Sequence, residues 1–597
     1  MSCGDRRQDM GKFDPHSYTD LDQGKIKKLE LNLFVDFKRK VLMGEATLHF
    51  HKGGEGAIDL DTRDLIIDAV YSKDGVPIGW EKSETEGFMG EKLRIFRPVG
   101  TKTLIIRYAT TPRSSALQWL DPEQTAGGEH PYLFSQCQPI HARSMVPLQD
   151  SPLVRFTYTA RIMVPKKLTA VMSAAPGIVE PGPTKDSATV VFDMPQPIPS
   201  YLLALAVGRM EHRDLSERAR VYAEPATLES AAYEFADIEK MIVVAEQIFG
   251  AYPWERFDFA VMPPAFPYGG MENPRLTFLT PTLLAGDRSL ANVLTHELAH
   301  SWTGNLVTNA TMNDFWLNEG FTVWAERRIL EKLEGEEMFK LAATLGAISL
   351  KEEIENFGED SPYTALKTNL EGVDPDEVYS QVPYEKGFLF VRLLEEKIGR
   401  EAFDEFVKKY INRFKFSSIS TETFEAFFKH AYPELSDEIK MDEWIRGTGL
   451  PHNAPVFQSA RLDELNQAAE AFAKDQDAAI PGDLNPTEMR VYLSALPLQL
   501  NEAQCQTLER ALGLDQTGNS EIRCQWYLIA IASGYHKVLP EVEVFLAQVG
   551  RMKFVKPLFL ALKKHDDTAS LASSLYEKLK AGYHPIAQGV LDKLMAK

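Results

Sequence analysis

Two histidines four positions apart, with an acid beside the first, raise the question of chemistry in this chain. The stretch NVLTHELAHSWTGNLV, residues 292–307, holds His296, Glu297 and His300. On a helix, positions i and i+4 lie about 40° apart in projection, so both imidazoles can face one point. A hydrolytic zinc ion takes three protein ligands and keeps one position open. His296 and His300 would supply two of them. Glu297 sits off the line joining the histidines, where it can take a proton from water more readily than it can bind a metal. The competing reading is a core helix whose histidines are satisfied by hydrogen bonds. Glu319, in DFWLNEGFTVWAERR, lies nineteen positions after His300 and decides between them. A loop can turn the chain so that a second helix presents Glu319 beside the histidines, which completes a His, His, Glu set. Glu326, two turns further on, is either an acceptor that orients a ligand histidine or a surface acid.

A second constellation precedes the first. In PYGGMENP, residues 267–274, Gly269 and Gly270 bare the backbone, so an extended chain could pair with it as an added strand. Glu272 follows, and a carboxylate facing a groove beside a metal could hold a cation. If the substrate is a peptide, that cation is its free α-amino group. No phosphate-binding loop, no G-x-S-x-G nucleophile turn and no dinucleotide fingerprint competes with this chemistry.

The elements that must position these residues divide the chain. With 597 residues it is too long for one core. KIKKLELNLFVDFKRKVLMGEATLHFHK alternates apolar and polar residues, with a turn expected near Gly44. VRFTYTARIMVP and KLRIFRPVGTKTLIIRYAT alternate likewise, which predicts an N-terminal antiparallel β domain over 1–208. From 209 to 450 a helical stretch ending at Gly250, a short return to strand and then long helices predict an α+β catalytic domain. The Gly- and Pro-rich stretch around 451–460 reads as a linker. Beyond it, 461–597 shows amphipathic segments closed by Gly513, Gly534, Gly550 and Gly582, the pattern of stacked helices or a short all-α repeat. The expected class is multidomain α+β.

Composition narrows the partners. Eighty-five acidic against 65 basic residues give a net charge of −20, which argues against nucleic acid or an anionic membrane surface. No apolar run is long enough to span a bilayer, so no transmembrane segment is expected. The four cysteines, Cys3, Cys137, Cys505 and Cys524, form no Cys-x-x-Cys pair and fit reduced thiols in the cytoplasm. The alternative is an exported or lipid-anchored parent, because SCGD near the start has the form of a trimmed lipidation site. A monomer is expected.

Three motifs together resemble the M1 zinc aminopeptidases: Gly-Gly-Met-Glu-Asn at 269–273, His-Glu-x-x-His at 296–300 and Asn-Glu-Gly-Phe at 318–321. FSQCQPIHARSMVP, VDPDEVYSQVPYEKGF and QVGRMKFVKPLF are similar to the leukotriene A4 hydrolase branch of that family. The resemblance implies a β domain, a thermolysin-like catalytic domain and a helical domain, in that order, and one Zn2+ per chain. It implies that His296, His300 and Glu319 bind zinc and that Glu297 is the general base. Tyr384 would donate a hydrogen bond to the oxyanion, with Tyr379 near it. Gln138 and Glu272 would hold the substrate's amino terminus, and Gly269, Gly270 and Met271 would line the substrate strand. Asp376 would sit deeper, where the branch hydrates a lipid epoxide. Arg551 and Lys553 would meet the carboxylate of a short peptide or a fatty acid. Pro139, Arg275 and Phe321 depart from the branch pattern; they bear on the lipid pocket and not on peptide chemistry.

Overall fold

The computed structural model describes residues 13–53 and 56–596. Cys3 and the SCGD stretch lie outside the described residues. In the first strand, Leu29, Leu31, Leu33 and Val35, each at most 2% exposed, alternate with the outward-facing Glu30, Asn32 and Phe34. That one-sided burial fixes the register of a seven-stranded sheet. Its strands run edge to edge as Ile178–Pro181, Ser187–Pro199, Arg155–Pro165, Ile26–Asp36, Val41–Phe50, Thr103–Ala109 and Ile66–Ser72. The expected antiparallel pairing holds except between Ile26–Asp36 and Arg155–Pro165, which run parallel. The expected turn at Gly44 is a correction. The chain reverses at residues 37–40, where Lys40 takes φ +56°, and Gly44 lies inside a strand opposite Leu33. A Cβ there would sit 1.9 Å from the Asn32 carbonyl oxygen, so this glycine permits close backbone approach instead of a turn.

A second sheet, ordered Thr169–Met172, Leu205–Gly208, Tyr132–Ser135 and Leu117–Leu120, delivers the segment that carries Gln138 and His141. The next sheet is ordered Glu211–Asp214, Arg220–Ala223, Phe259–Val261, Thr277–Leu279 and β1 (Gly270–Met271). β1 is its edge strand, so one side of its backbone is free to pair. Of the helices that follow, those around the site are α1 (Ala291–Ala299), α2 (Trp316–Glu334), α3 (Glu336–Phe357) and α4 (Gly387–Ile398). α1 is nine residues long. His300 caps it, and a turn to Asn305, whose N–H reaches the His300 carbonyl at 3.0 Å, redirects the chain toward α2.

Two glycines set how α2 meets α4. A Cβ on Gly320 would lie 2.7 Å from the Gly387 Cα, so the backbones touch where any side chain would separate them. This contact places the π-helical turn Val382–Lys386, which carries Tyr384, beside the Glu319 end of α2. Lys386 pins that turn: its buried ammonium donates to the Thr364 and Gly447 carbonyls, at 2.8 Å each.

From Ala460 the chain is helical: Ala460–Lys474, α5 (Pro486–Ala495), Glu502–Leu512, α6 (Ser520–Ala532), Leu539–Gln548, α7 (Met552–Lys564), Ala569–Leu579 and α8 (Pro585–Ala596). α5 packs on α3 and α6, and α7 packs on α6 and α8. Buried apolar residues form two clusters. One runs through the β and catalytic regions together, and the other fills the helical region and takes in Leu341 of α3. We propose the boundaries 1–208, 209–450, 451–460 and 461–597, of which the separation of the two clusters supports the last. Among the described residues no helix is long and apolar enough to cross a membrane.

Candidate active site

The three expected ligands converge. His296 Nε2 lies 3.1 Å from His300 Nε2, and Glu319 Oε2 lies 3.4 and 3.5 Å from them. The other ring nitrogens are already engaged, because His296 Nδ1 donates to Glu326 Oε2 and His300 Nδ1 to the Thr303 carbonyl, both at 3.0 Å. That fixes each tautomer with its Nε2 lone pair directed at the common point. Glu326 therefore orients a histidine and is not a surface acid. Glu319 Oε2 is buried without a hydrogen-bond partner.

A second group, Glu272, Glu297 and His300, also brings ligand atoms close together. It shares His300, whose Nε2 already points at the first group. Burial pushes the Glu272 and Glu297 carboxyls above the usual carboxylate range; His296 opposes the rise at Glu297, while neighbouring acids reinforce it at both. Such a concentration of buried acid calls for a dication. Two neutral imidazoles and a carboxylate suit zinc, so the donor set fits that metal.

Around this point the chain places most of the other expected residues. Gln138 Nε2 approaches Glu272 Oε1 at 3.4 Å, across more than a hundred residues of sequence. The Glu272 backbone carbonyl is held by Asn305 Nδ2 at 2.6 Å. β1 runs over Glu297, and a Cβ on Gly270 would fall 2.2 Å from its Oε1. Met271 departs from its expected place. The residue is 2% exposed and its Sδ accepts from Gln136 Nε2 at 3.1 Å, so its side chain is packed inward. Tyr384 stacks on His296 with ring centroids 6.2 Å apart, and its hydroxyl lies 3.0 Å from that of Tyr379. Burial and the Glu319 charge hold the Tyr384 phenol well above its ordinary pKa, so it stays a proton donor.

The far side of β1 is closed by the helical region. The Gly550 N–H donates to the Pro264 carbonyl at 2.7 Å and the Met552 N–H to the Pro267 carbonyl at 2.8 Å. These bonds set Arg551 against β1, where a Cβ on Gly269 would lie 2.6 Å from its Nη2. Lys553 does not reach the strand in the same way. It pairs with Glu521 of α6 at 2.8 Å, and Arg551 Nη1 meets the same carboxylate at 3.4 Å.

Asp376 lies apart from the metal point. It accepts a hydrogen bond from His141 Nε2 at 2.8 Å, and His141 Nδ1 in turn contacts Ser115 Oγ at 2.8 Å. His141 and Glu521 were missed in the sequence. His141 stands inside FSQCQPIHARSMVP, three residues after Gln138, but nothing local marks its contact with a residue 235 positions away. Arg275, which could have added charge near the strand, is held away by Glu255 and Gln196 at 3.0 and 3.1 Å.

Known proteins share this arrangement. The peptidase family M1 domain model matches residues 233–444, the peptidase M1 N-terminal domain model residues 15–202, and the leukotriene A4 hydrolase C-terminal model residues 484–595. The chain is 38% identical to leukotriene A-4 hydrolase of Xenopus laevis, over 97% of this chain and 98% of the frog protein. It is 37% identical to leucine aminopeptidase 2 of Neurospora crassa, over 97% and 90% respectively. The structure of yeast leukotriene A4 hydrolase with bestatin superimposes with a TM-score of 0.90 at 32% identity, covering 98% of this chain and 97% of the yeast chain. The β, catalytic and helical regions, the metal-fitting triad and these matches together establish that the chain belongs to the M1 family of zinc metallopeptidases, with the helical C-terminal region of its leukotriene A4 hydrolase branch.

Proposed function

We propose that the chain is an aminopeptidase that removes the N-terminal residue from short peptides. The observation that carries this is the polarity of one cleft. Buried Glu272 with Gln138 stands at one end of the β1 edge, and buried Arg551 stands at the other. A free ammonium docked on Glu272 supplies the positive charge that favours the ionised form of a carboxyl raised by burial and by the Glu319 charge. The peptide pairs with β1 at Gly269 and Gly270, whose missing side chains leave room for it.

His296, His300 and Glu319 would hold zinc, which would supply Lewis acidity and lower the pKa of a water. Glu297, beside Gly270, takes the proton of the attacking water and passes it to the leaving amine. The Tyr384 phenol donates to the oxygen on which negative charge develops. Arg551 meets the α-carboxylate of the product end, and Lys553 stands behind it on Glu521.

A second reading, hydration of a lipid epoxide, is supported by Asp376. Its carboxylate is held in one orientation by His141 and lies near Tyr268, itself packed on Tyr379 at 5.7 Å. Three buried free thiols, Cys137, Cys505 and Cys524, support a reducing compartment, and we read the active unit as a single chain in the cytoplasm.

One panel tests the function. Aminoacyl-arylamides, tripeptides, N-acetylated tripeptides and a lipid epoxide are offered with and without a zinc chelator. The expected result is chelator-sensitive cleavage of free-amino substrates only. Equal cleavage of the acetylated peptides would overturn the exopeptidase reading. A dihydroxy lipid whose yield falls in Asp376→Asn, with peptide cleavage retained, is the result expected of the second reading.

A further inference from the structure

Three cations share one acid at the carboxylate end of the cleft. Glu521, on the first turn of α6, meets Arg551 Nη1 at 3.4 Å, Lys553 Nζ at 2.8 Å and Arg490 Nη2 at 3.4 Å. Arg490 comes from α5 and has no other acidic partner among the described residues. Burial pushes the Glu521 carboxyl up, but the charges of Lys553, Arg490 and Arg551 outweigh it and hold the group far below the usual carboxylate range. Glu521 is thus a fixed single negative charge among three positive ones, and two positive charges remain unmatched.

One of them is poised for the substrate's α-carboxylate. Arg551 is 7% exposed, its Nε is buried without a partner, and its Nη2 reaches the space that the missing side chain of Gly269 leaves open. The other lies on the more solvent-open part of the cluster, where the Arg490 and Lys553 side chains are 25% and 49% exposed.

We propose that Arg490, with Lys553, forms a second anionic subsite beside Arg551, so that the enzyme prefers short peptides whose C-terminal residue is itself acidic. This rests on the aminopeptidase reading. A C-terminal Asp or Glu presents two carboxylates within one residue, the α-carboxylate for Arg551 and the side-chain carboxylate for the surplus charge of Arg490 and Lys553. Glu521 acts as a positioning residue: it draws the three cations together while cancelling only one of them. A C-terminal Lys meets the same surplus as repulsion.

The test fixes the first two residues of a tripeptide and varies the third among Glu, Ala and Lys, with the matching aminoacyl-arylamide run alongside. Wild type is expected to cleave the Glu peptide with kcat/KM about two- to fivefold above the Ala peptide, the range for partly exposed charge pairs, and the Lys peptide less well than either. The Glu-to-Ala ratio is expected to shrink as salt is raised. In Arg490→Gln the ratio falls toward one, and in Arg490→Lys, which keeps the charge, most of it returns. A wild-type ratio of one, or a ratio that survives Arg490→Gln, overturns the subsite. If neither arylamide nor any tripeptide is cleaved, the aminopeptidase reading has failed and the subsite falls with it. Cleavage without third-residue preference removes the subsite alone.

Discussion

At the scale of single residues, the site depends on a carboxylate that β1 can reach. Glu297 is buried under Gly270, and the two are so close that no side chain fits between them. Replacing Glu297 by Gln keeps the shape but removes the proton acceptor. Turnover of arylamides is expected to fall by about 10²–10⁴-fold, while metal analysis still finds one zinc per chain. Gly270→Ala should reach the same loss by displacing the intact carboxylate. Activity within tenfold of wild type in Glu297→Gln would remove Glu297 from the role of base. This level of the site was the most legible in the sequence, because His296, Glu297 and His300 lie within one helical turn and its cap. Glu326 stood open between two readings, since its contact with His296 depends on how α1 and α2 cross. Arg490, Glu521 and His141 carried no local signal at all. Each gains meaning only from a partner brought to it by the fold.

At the scale of elements, the turn that carries Tyr384 is fixed by a buried lysine with no acidic partner among the described residues. Burial pushes the Lys386 ammonium down to about 7, whereas in the unfolded chain a lysine titrates near 10.4. Between those values the unfolded chain binds a proton that the folded one has released, so the lysine's contribution to stability rises with pH across that window. Below about pH 7 both states hold the proton, and the full cost of burying the charge is present. Lys386→Met removes this titration along with two hydrogen bonds to carbonyls. The difference in Tm between wild type and variant should therefore shift in favour of wild type as pH rises from 7 to 10, by an amount corresponding to about a few kcal/mol. A difference that stays constant over that range would mean that the lysine keeps one protonation state. The sequence alternation that foretold the strands could not foretell this turn, or the approach of α2 to α4 at Gly320 and Gly387. Gly44 shows the same ambiguity in reverse: a glycine reads as a turn in sequence, and the structure uses it to let two strands touch.

At the scale of the whole molecule, three regions meet to make one cleft of limited length. Gln138 comes from the β region, the metal ligands and β1 from the catalytic region, and Arg551 from the helical region. The last is tied down by two backbone hydrogen bonds from residues 550 and 552 to the loop leading into β1, at 2.7 and 2.8 Å. Glu297 faces Gly270, the first residue of β1, and Arg551 faces Gly269, the residue just before it. An extended chain advances ~3.3 Å per residue, so the guanidinium stands about one to two residues beyond the bond that Glu297 serves. A tripeptide places its α-carboxylate there. A longer peptide brings a neutral amide to the same buried cation in place of the carboxylate and forgoes a charge-assisted hydrogen bond, a loss of about 1.5–3 kcal/mol. In a series lengthened by one alanine at a time from a fixed N-terminal residue, kcat/KM should peak at three residues and fall by about tenfold or more at five. A tripeptide amide, which lacks the charge but not the length, should fall with the longer peptides. If the amide is cleaved as fast as the acid, Arg551 does not read the carboxylate, and the cleft limits length by shape alone.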